Sequence, residues 1–220
     1  MKELKLGEFL RKDWLALLFL LLPLVLTLSL WNQLPERFAT HWGLNGEANG
    51  YQDKTSFLIF LIAINLFTYA ILSVVPYIDP KPQSKRLIKP LRLVRMIVMA
   101  FLAVVMGSVV LKATGYALDI ILIAKLCIIA LYLVLGNMMS KFPPNYFAGI
   151  RTPWTLESPE VWRQVHRVAS KLWVSCSLVL LLFVFRLGNT AYYILFAATT
   201  LVLIFFPIIH SYLLYRKTQP

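Results

Sequence analysis

Charged residues are scarce in this sequence, and acidic residues are the scarcest. Of 220 residues only 15% are charged, with 10 Asp and Glu against 22 Lys and Arg, while 59% are hydrophobic. A soluble domain of this length cannot keep so much apolar side chain inside one core. The sequence therefore excludes an ordinary soluble domain and predicts an integral membrane protein.

Cysteine is also rare, and the motifs of common membrane enzymes are lacking. The two cysteines, Cys127 and Cys176, fall inside apolar runs, so neither a disulfide nor a cysteine-based metal site is expected. The sequence has no His-Glu-x-x-His pair, no Gly-x-Ser-x-Gly elbow and no paired intramembrane carboxylates. We therefore predict a protein that acts by binding and not by catalysis, with no cofactor and no metal.

Long apolar runs are what the sequence does contain. A bilayer core requires about 20 apolar residues in helical form, and six stretches qualify. The first is too long for a cleaved signal peptide, and no small-residue cleavage site follows it. We predict an all-α integral membrane protein, a single membrane domain over residues 1–220 built as a bundle of six transmembrane helices, with spans at about 14–31, 56–77, 93–111, 118–139, 169–187 and 190–214.

The distribution of Lys and Arg predicts which loops face the cytoplasm, because cytoplasmic flanks retain basic residues. One side of the membrane has only Arg37, Lys54, Lys112 and Arg186. The two tails and the second and fourth loops have Lys2, Lys5, Arg11, Lys12, Lys81, Lys85, Arg86, Lys89, Arg92, Arg95, Lys141, Arg151, Arg163, Arg167, Lys171, Arg216 and Lys217. Both termini are therefore predicted to be cytoplasmic. The net charge of +12 is explained by topology and by attraction to anionic lipid, so no direct nucleic-acid binding is expected.

Residues 32–55 form the predicted extracellular loop module. Two Asn-Gly pairs, Asn45-Gly46 and Asn49-Gly50, favour tight turns with positive φ. A compact, turn-rich cap with room for a short hairpin is expected.

Other polar and aromatic residues of this module have simple interpretations. His41, Glu47 and Asp53 do not have the spacing of a metal site, and a folded surface loop explains them. Trp31 and Trp42 are interpreted as anchors at the membrane interface.

Residues 140–168 form the predicted cytoplasmic signature loop and interfacial helix. A Pro-Pro pair must end the fourth span, because proline lacks the amide proton and restricts the residue before it. Gly149 permits close backbone approach or a left-handed turn, and Thr152 before Pro153 is expected to be extended. A rigid, non-helical clasp is predicted from Asn145 to Thr155.

A helix is predicted to restart after this clasp, with Ser158 as its N-cap. Trp162 and His166 lie on one side of that helix, and Arg163 and Arg167 lie on another. Two interpretations remain open. In the first, Trp154, Trp162 and Trp173 are anchors at the membrane interface, beside arginines that contact lipid phosphates. In the second, the closely spaced glycine and proline residues of the loop shape it into a preformed platform.

These residues carry a resemblance to a known family. The stretch GIRTPWTLESPEVW from Gly149 to Trp162, with Asn145 upstream and Arg167 downstream, resembles the signature of the SdpI family of bacterial membrane proteins. The outer-loop residues Pro35, His41, Gly46 and Gly50 are similar to a small N-terminal module of unknown function that often accompanies it.

The resemblance implies a toxin-immunity or signal-transducing protein of the bacterial plasma membrane. Its expected partners are the lipid bilayer, a secreted antimicrobial peptide of the cannibalism type, and a cytoplasmic transcriptional repressor held at the membrane. The implied partner-binding loop residues are Asn145, Gly149, Arg151, Thr152, Pro153, Trp154, Thr155, Trp162 and Arg167. The implied peptide contacts in the outer loop are Pro35, His41, Gly46, Glu47 and Gly50.

Physical reasoning adds an expectation for three members of the inner loop. Arg151 is expected to donate to carbonyls or carboxylates within the clasp, since a planar group with five donors suits the fixing of a loop. Gly149 and Pro153 are expected to set the shape of the clasp, and Trp154 is expected to pack it against the helices.

Lys125 falls within the fourth span, where a cation is a functional candidate by default. Its expected partners are Asn65 or Asp119, and snorkelling toward the outer face is the simpler explanation. The alternative function is therefore a small transporter or channel that uses Lys125 and other intramembrane polar residues. The two three-span halves show no internal repeat that would support it.

Overall fold

The computed structural model describes residues 6–81 and 86–218 of the chain. Its helices are α1 Leu6–Ser29, α2 Lys54–Ile78, α3 Ile88–Ala113, α4 Ile120–Met139, α5 Pro153–Glu157, α6 Pro159–Phe183 and α7 Asn189–Thr218, and its strands are β1 Arg37–Trp42 and β2 Ala48–Asp53. Lys2, Lys5 and Lys85, which the topology prediction used, lie outside the described residues.

Six helices of the described residues are long and apolar enough to cross a membrane, namely α1, α2, α3, α4, α6 and α7. Large apolar side chains stay exposed along them, as a surface that faces lipid requires. Examples are Ile59 at 64%, Phe67 at 65% and Phe205 at 55% exposure. The predicted all-α membrane protein with six spans is therefore confirmed.

Helix α6 differs most from the predicted spans. The sequence predicted an interfacial helix followed by a span at 169–187, whereas one continuous helix runs from Pro159 to Phe183. One face of its first turns is buried, with Val161 at 1% and Val165 at 0% exposure, and the other face is exposed. The buried face packs against protein, and the position of this segment at the headgroup level stays a prediction. Ser158 caps α6 as predicted, because its hydroxyl accepts the N–H of Val161 at 3.3 Å.

The chain divides into two compact units. The first unit contains the described residues up to Ser73 together with Arg92–Cys127, and the second contains those of Val74–Leu91 together with the chain from Ile128 onward. The outer module belongs to the first unit, and the signature loop belongs to the second.

An antiparallel hairpin of β1 and β2 closes the first unit at one end. Phe38 of β1 meets Phe57 of α2 edge to face, with ring centroids 5.1 Å apart. Both side chains are buried in a cluster with Leu34, Leu61, Val109 and Val110. Trp31 and Trp42 are partly buried against this cluster, and their role as anchors at the membrane interface stays a prediction.

One of the two predicted Asn-Gly turns is wrong. Gly46 has φ 86° and forms the turn between the strands. Gly50 instead lies in β2 opposite His41, where a Cβ would come within 2.8 Å of the His41 Cβ. Gly50 is therefore needed for close approach of the strands and not for a turn.

Candidate functional site

Asn145 folds the loop that follows α4. Its buried side chain donates from Nδ2 to the carbonyls of Pro143 at 2.8 Å and Ala148 at 2.9 Å. Its Oδ1 accepts the N–H groups of Phe147 at 2.9 Å and Ala148 at 2.6 Å. Both donors and both acceptor positions of the amide are thus used within the loop. Asn145 fixes the backbone and has no remaining capacity for a ligand.

Gly149, His166 and Trp162 meet where the loop packs on α6. Gly149 has φ 104°, and a Cβ there would overlap Nε2 of His166. The left-handed conformation and the close approach that the sequence allowed at Gly149 therefore both occur. Nε2 accepts the Ile150 N–H at 3.0 Å, and Nδ1 lies 2.8 Å from the Trp162 carbonyl. The ring is therefore neutral with its proton on Nδ1. The imidazole stacks on the Trp162 indole with centroids 4.0 Å apart.

Trp162 of α6 is buried where the loop packs on this helix, and it is not an interfacial anchor. It is 1% exposed, and its indole N–H donates to the Phe142 carbonyl at 2.8 Å. Trp162 and His166 therefore join the end of α4 and the middle of the loop to the start of α6. The sequence placed both on one side of α6 but assigned no role to His166.

Thr152 begins a helix inside the segment predicted to be non-helical. Its side chain accepts the Thr155 N–H at 3.2 Å, and its own N–H donates to Thr155 Oγ1 at 2.9 Å, which completes a capping box. With Pro153 in the first helical position, α5 forms over Pro153–Glu157. The predicted non-helical clasp is thus wrong after Thr152, since its own capping residues nucleate a short helix. We call the structure from Asn145 to Glu157 the clasp.

Two residues attach the clasp to α7. Thr152 Oγ1 donates to Ser211 Oγ at 3.0 Å, and Ser211 donates in turn to the Ile208 carbonyl at 2.6 Å. Trp154 packs against Tyr212 with ring centroids 5.1 Å apart. The clasp therefore connects α6 and α7 within the second unit.

Arg151 donates to a carbonyl of the clasp, the kind of bond that the sequence predicted. Its Nη1 lies 2.7 Å from the Tyr146 carbonyl, and the side chain is otherwise exposed. Arg167 lies elsewhere, since it is exposed on α6 and lines a groove beside α7. Arg151 therefore belongs to the clasp, whereas Arg167 does not.

Two residues after α2, Asp79 and Lys81, hold the clasp, a role that the sequence did not predict. Asp79 is 7% exposed, and its carboxylate accepts the N–H groups of Tyr146 at 2.7 Å and Lys81 at 2.8 Å. Lys81 Nζ donates to the Leu156 carbonyl at 2.7 Å and lies 5.1 Å from the centroid of the Tyr146 ring. Their only signal was an Asp-Pro-Lys-Pro sequence directly after an apolar run.

The five outer-loop candidates lie at or before the hairpin. Pro35 precedes β1, and Gly46 and Glu47 form its turn. His41 Nδ1 lies 2.5 Å from Asn49 Oδ1, while the Glu47 carboxylate accepts the Asn45 side-chain amide at 2.7 Å. His41 and Glu47 therefore have separate partners.

Asp53 also has a partner of its own, separate from those of His41 and Glu47. Its carboxylate accepts the Ser56 N–H at 2.8 Å at the start of α2, and this bond lowers the pKa of the Asp53 carboxyl below its usual value. The three side chains considered for a metal site thus form three separate local contacts.

Two further sets of polar residues lie in the first unit. Lys125 is 7% exposed within α4, and Asp119, one of its two expected partners, accepts the Leu122 N–H at 3.0 Å at the start of the same helix. The second set was missed: the buried Asp13 carboxylate accepts Arg95 Nη2 at 2.5 Å and the Tyr69 hydroxyl at 2.7 Å. The ion pair joins α1 to α3, and the hydrogen bond from the Tyr69 hydroxyl adds α2.

Comparisons with known proteins give one family match for the region of the clasp and another for the region of the hairpin. Residues 141–211, which contain the clasp, match the SdpI/YfhL protein family, and residues 18–66, which contain the hairpin, match a domain of unknown function, DUF1648. The chain is 28% identical over 209 residues to Immunity protein SdpI of Bacillus subtilis (strain 168), across 94% of this chain and 97% of that protein. No solved structure matches it significantly. The chain therefore resembles the SdpI/YfhL protein family at its clasp and Immunity protein SdpI from end to end, and its six long apolar helices make it a multi-pass protein of the cell membrane.

Proposed function

We propose that this protein is a membrane immunity protein that gives its host resistance to a secreted antimicrobial peptide. The observation that carries the proposal is the similarity to Immunity protein SdpI of Bacillus subtilis over 94% of this chain and 97% of the relative. Such a match includes both the outer module and the clasp, so it supports a shared function better than one shared motif would. Action by binding is supported by the clasp, whose polar side chains hold backbone groups.

In this proposal the outer hairpin meets the peptide. Leu44 near the turn is 64% exposed and Tyr51 in β2 is 52% exposed, and exposed apolar side chains suit a partner that partitions into membranes. His41 and Glu47 would add polar contacts there, while Pro35, Gly46 and Gly50 shape the backbone.

The clasp is proposed to bind a cytoplasmic transcriptional repressor. Tyr146 and Phe147 are 45% and 40% exposed and stand beside the exposed Arg151. Aromatic residues and arginine dominate the binding energy of many protein interfaces. Because internal hydrogen bonds hold this surface in shape, a partner would lose little free energy in ordering it.

Complementation in Bacillus subtilis tests the proposal. A strain that lacks its own Immunity protein SdpI would express this chain and be challenged with the antimicrobial peptide to which the deletion makes it sensitive. We expect the chain to restore survival and to preserve the membrane potential, read with a potential-sensitive dye. Arg151→Ala is expected to reduce protection at equal membrane abundance if the clasp takes part.

Lys141→Ala is the matched control, because it removes an exposed positive charge just before the clasp, where Lys141 makes no side-chain bond to a described residue. Equal loss in both variants would point to charge alone. If the unaltered chain reaches the membrane and still gives no protection, the proposed immunity against this peptide is wrong.

A further inference from the structure

A groove in the second unit lies between α6 and α7. It has a volume of about 470 Å³ and is lined by Glu160, Arg163, Gln164, Arg167, Val168, His210 and Leu214. The α6 residues recur at helical spacing along one side, and His210 and Leu214 stand one turn apart on the other. The volume is within the range of small-molecule sites.

The groove presents cationic and hydrogen-bonding groups. Arg163 is paired with Glu160, whose second carboxylate oxygen accepts the Gln164 amide at 2.8 Å. Arg167 makes no hydrogen bond to a residue in the described parts of the chain, so its guanidinium remains available. His210 is half-buried and stacks on Phe206, with ring centroids 5.6 Å apart. A phosphate ester suits this set, since guanidinium groups bind its oxygens in pairs.

The surroundings of the groove favour a lipid over a soluble phosphate. Val168 and Leu214 give it apolar walls, and neighbouring residues of α7 expose apolar side chains, with Ile209 at 57% and Leu213 at 49%. The distribution of Lys and Arg predicts that this end of the spans faces the cytoplasmic leaflet, which is rich in anionic lipid. A phosphate in the groove could therefore keep its acyl chains against α7.

We propose that this groove binds the headgroup of an anionic phospholipid, with Arg167 and Arg163 on the phosphate. Glu160 competes with the lipid for Arg163. This is a defined site for one lipid molecule, separate from the clasp and from general attraction to the membrane, and it does not depend on the immunity function.

Native mass spectrometry of the full chain tests the site. Protein purified from nanodiscs of phosphatidylcholine with and without phosphatidylglycerol is scored for retained lipid. We expect preferential retention of one phosphatidylglycerol, reduced about fivefold for each of Arg163→Gln and Arg167→Gln. Glu160→Gln should increase retention, because it frees Arg163.

Lys171→Gln is the matched control, since it removes an exposed cation from α6 that does not line the groove, and it should retain lipid like the unaltered chain. A folding defect shared by these variants cannot explain lipid retention that falls in the arginine variants and rises in Glu160→Gln. The proposal is overturned by equal retention of both lipids, by an equal loss in Lys171→Gln, or by arginine variants that are folded yet bind lipid normally. Displacement by sn-glycerol 3-phosphate at the affinity of the lipid would also overturn it, because the occupant would then be a soluble phosphate.

Discussion

Single residues of the clasp act through geometry that a side chain of another shape would destroy. Asn145 uses all of its amide groups on the backbone, and Gly149 combines a positive φ with contact against His166. The sequence predicted special backbone geometry at Gly149 because glycine and proline are dense there. It could not predict the imidazole above that glycine, which lies 17 residues along the chain.

Gly149→Ala should lower the free energy of unfolding by about 3 kcal/mol, from backbone strain and from overlap with His166. The measurement is thermal unfolding of the purified protein in detergent. Gly115→Ala is the control, because Gly115 has φ 100° but no atom within 4 Å of its would-be Cβ. It should show only the backbone contribution of about 1 kcal/mol. Equal effects in the two variants would mean that the contact with His166 is unimportant.

At the scale of elements, caps were predictable and long-range polar contacts were not. Ser158 was predicted to cap α6 from local sequence, and it does so. The capping box of α5 is equally local, but the prediction of a non-helical segment up to Thr155 left no place for it. By contrast, Asp13 and Arg95 are 82 positions apart, and Arg95 was interpreted only as a flanking charge.

Asp13→Asn should destabilise the first unit by about 3 kcal/mol, because it removes the carboxylate charge that the buried Arg95 guanidinium contacts. Replacing both partners, as in Asp13→Leu with Arg95→Met, should recover much of that loss, since the buried guanidinium is then removed as well. The fraction of protein that stays monodisperse after heating reports the effect. An Asp13→Asn protein as stable as the unaltered chain would show that the pair does not hold α1 to α3.

At the scale of the whole molecule, charge asymmetry predicts that both termini and the clasp are cytoplasmic. A background with Cys127 and Cys176 replaced by Ala allows single cysteines to be placed at exposed positions on either side. An impermeant maleimide added to intact spheroplasts should label Leu44→Cys in the outer hairpin. It should label Lys141→Cys only after the membrane is opened. The reverse pattern would invert the predicted topology.

The sequence alone determined the class of the protein, its six spans and the position of its signature loop. These are local properties: the length of an apolar run, a proline pair or a capping residue acts over a few neighbouring positions. The tertiary structure alone decided that His166 supports Gly149, that Asp79 holds Tyr146 from 67 positions away, and that Arg167 faces a groove and not the clasp. Such contacts depend on how separate helices pack, and neither hydrophobic pattern nor charge count specifies which polar groups then meet.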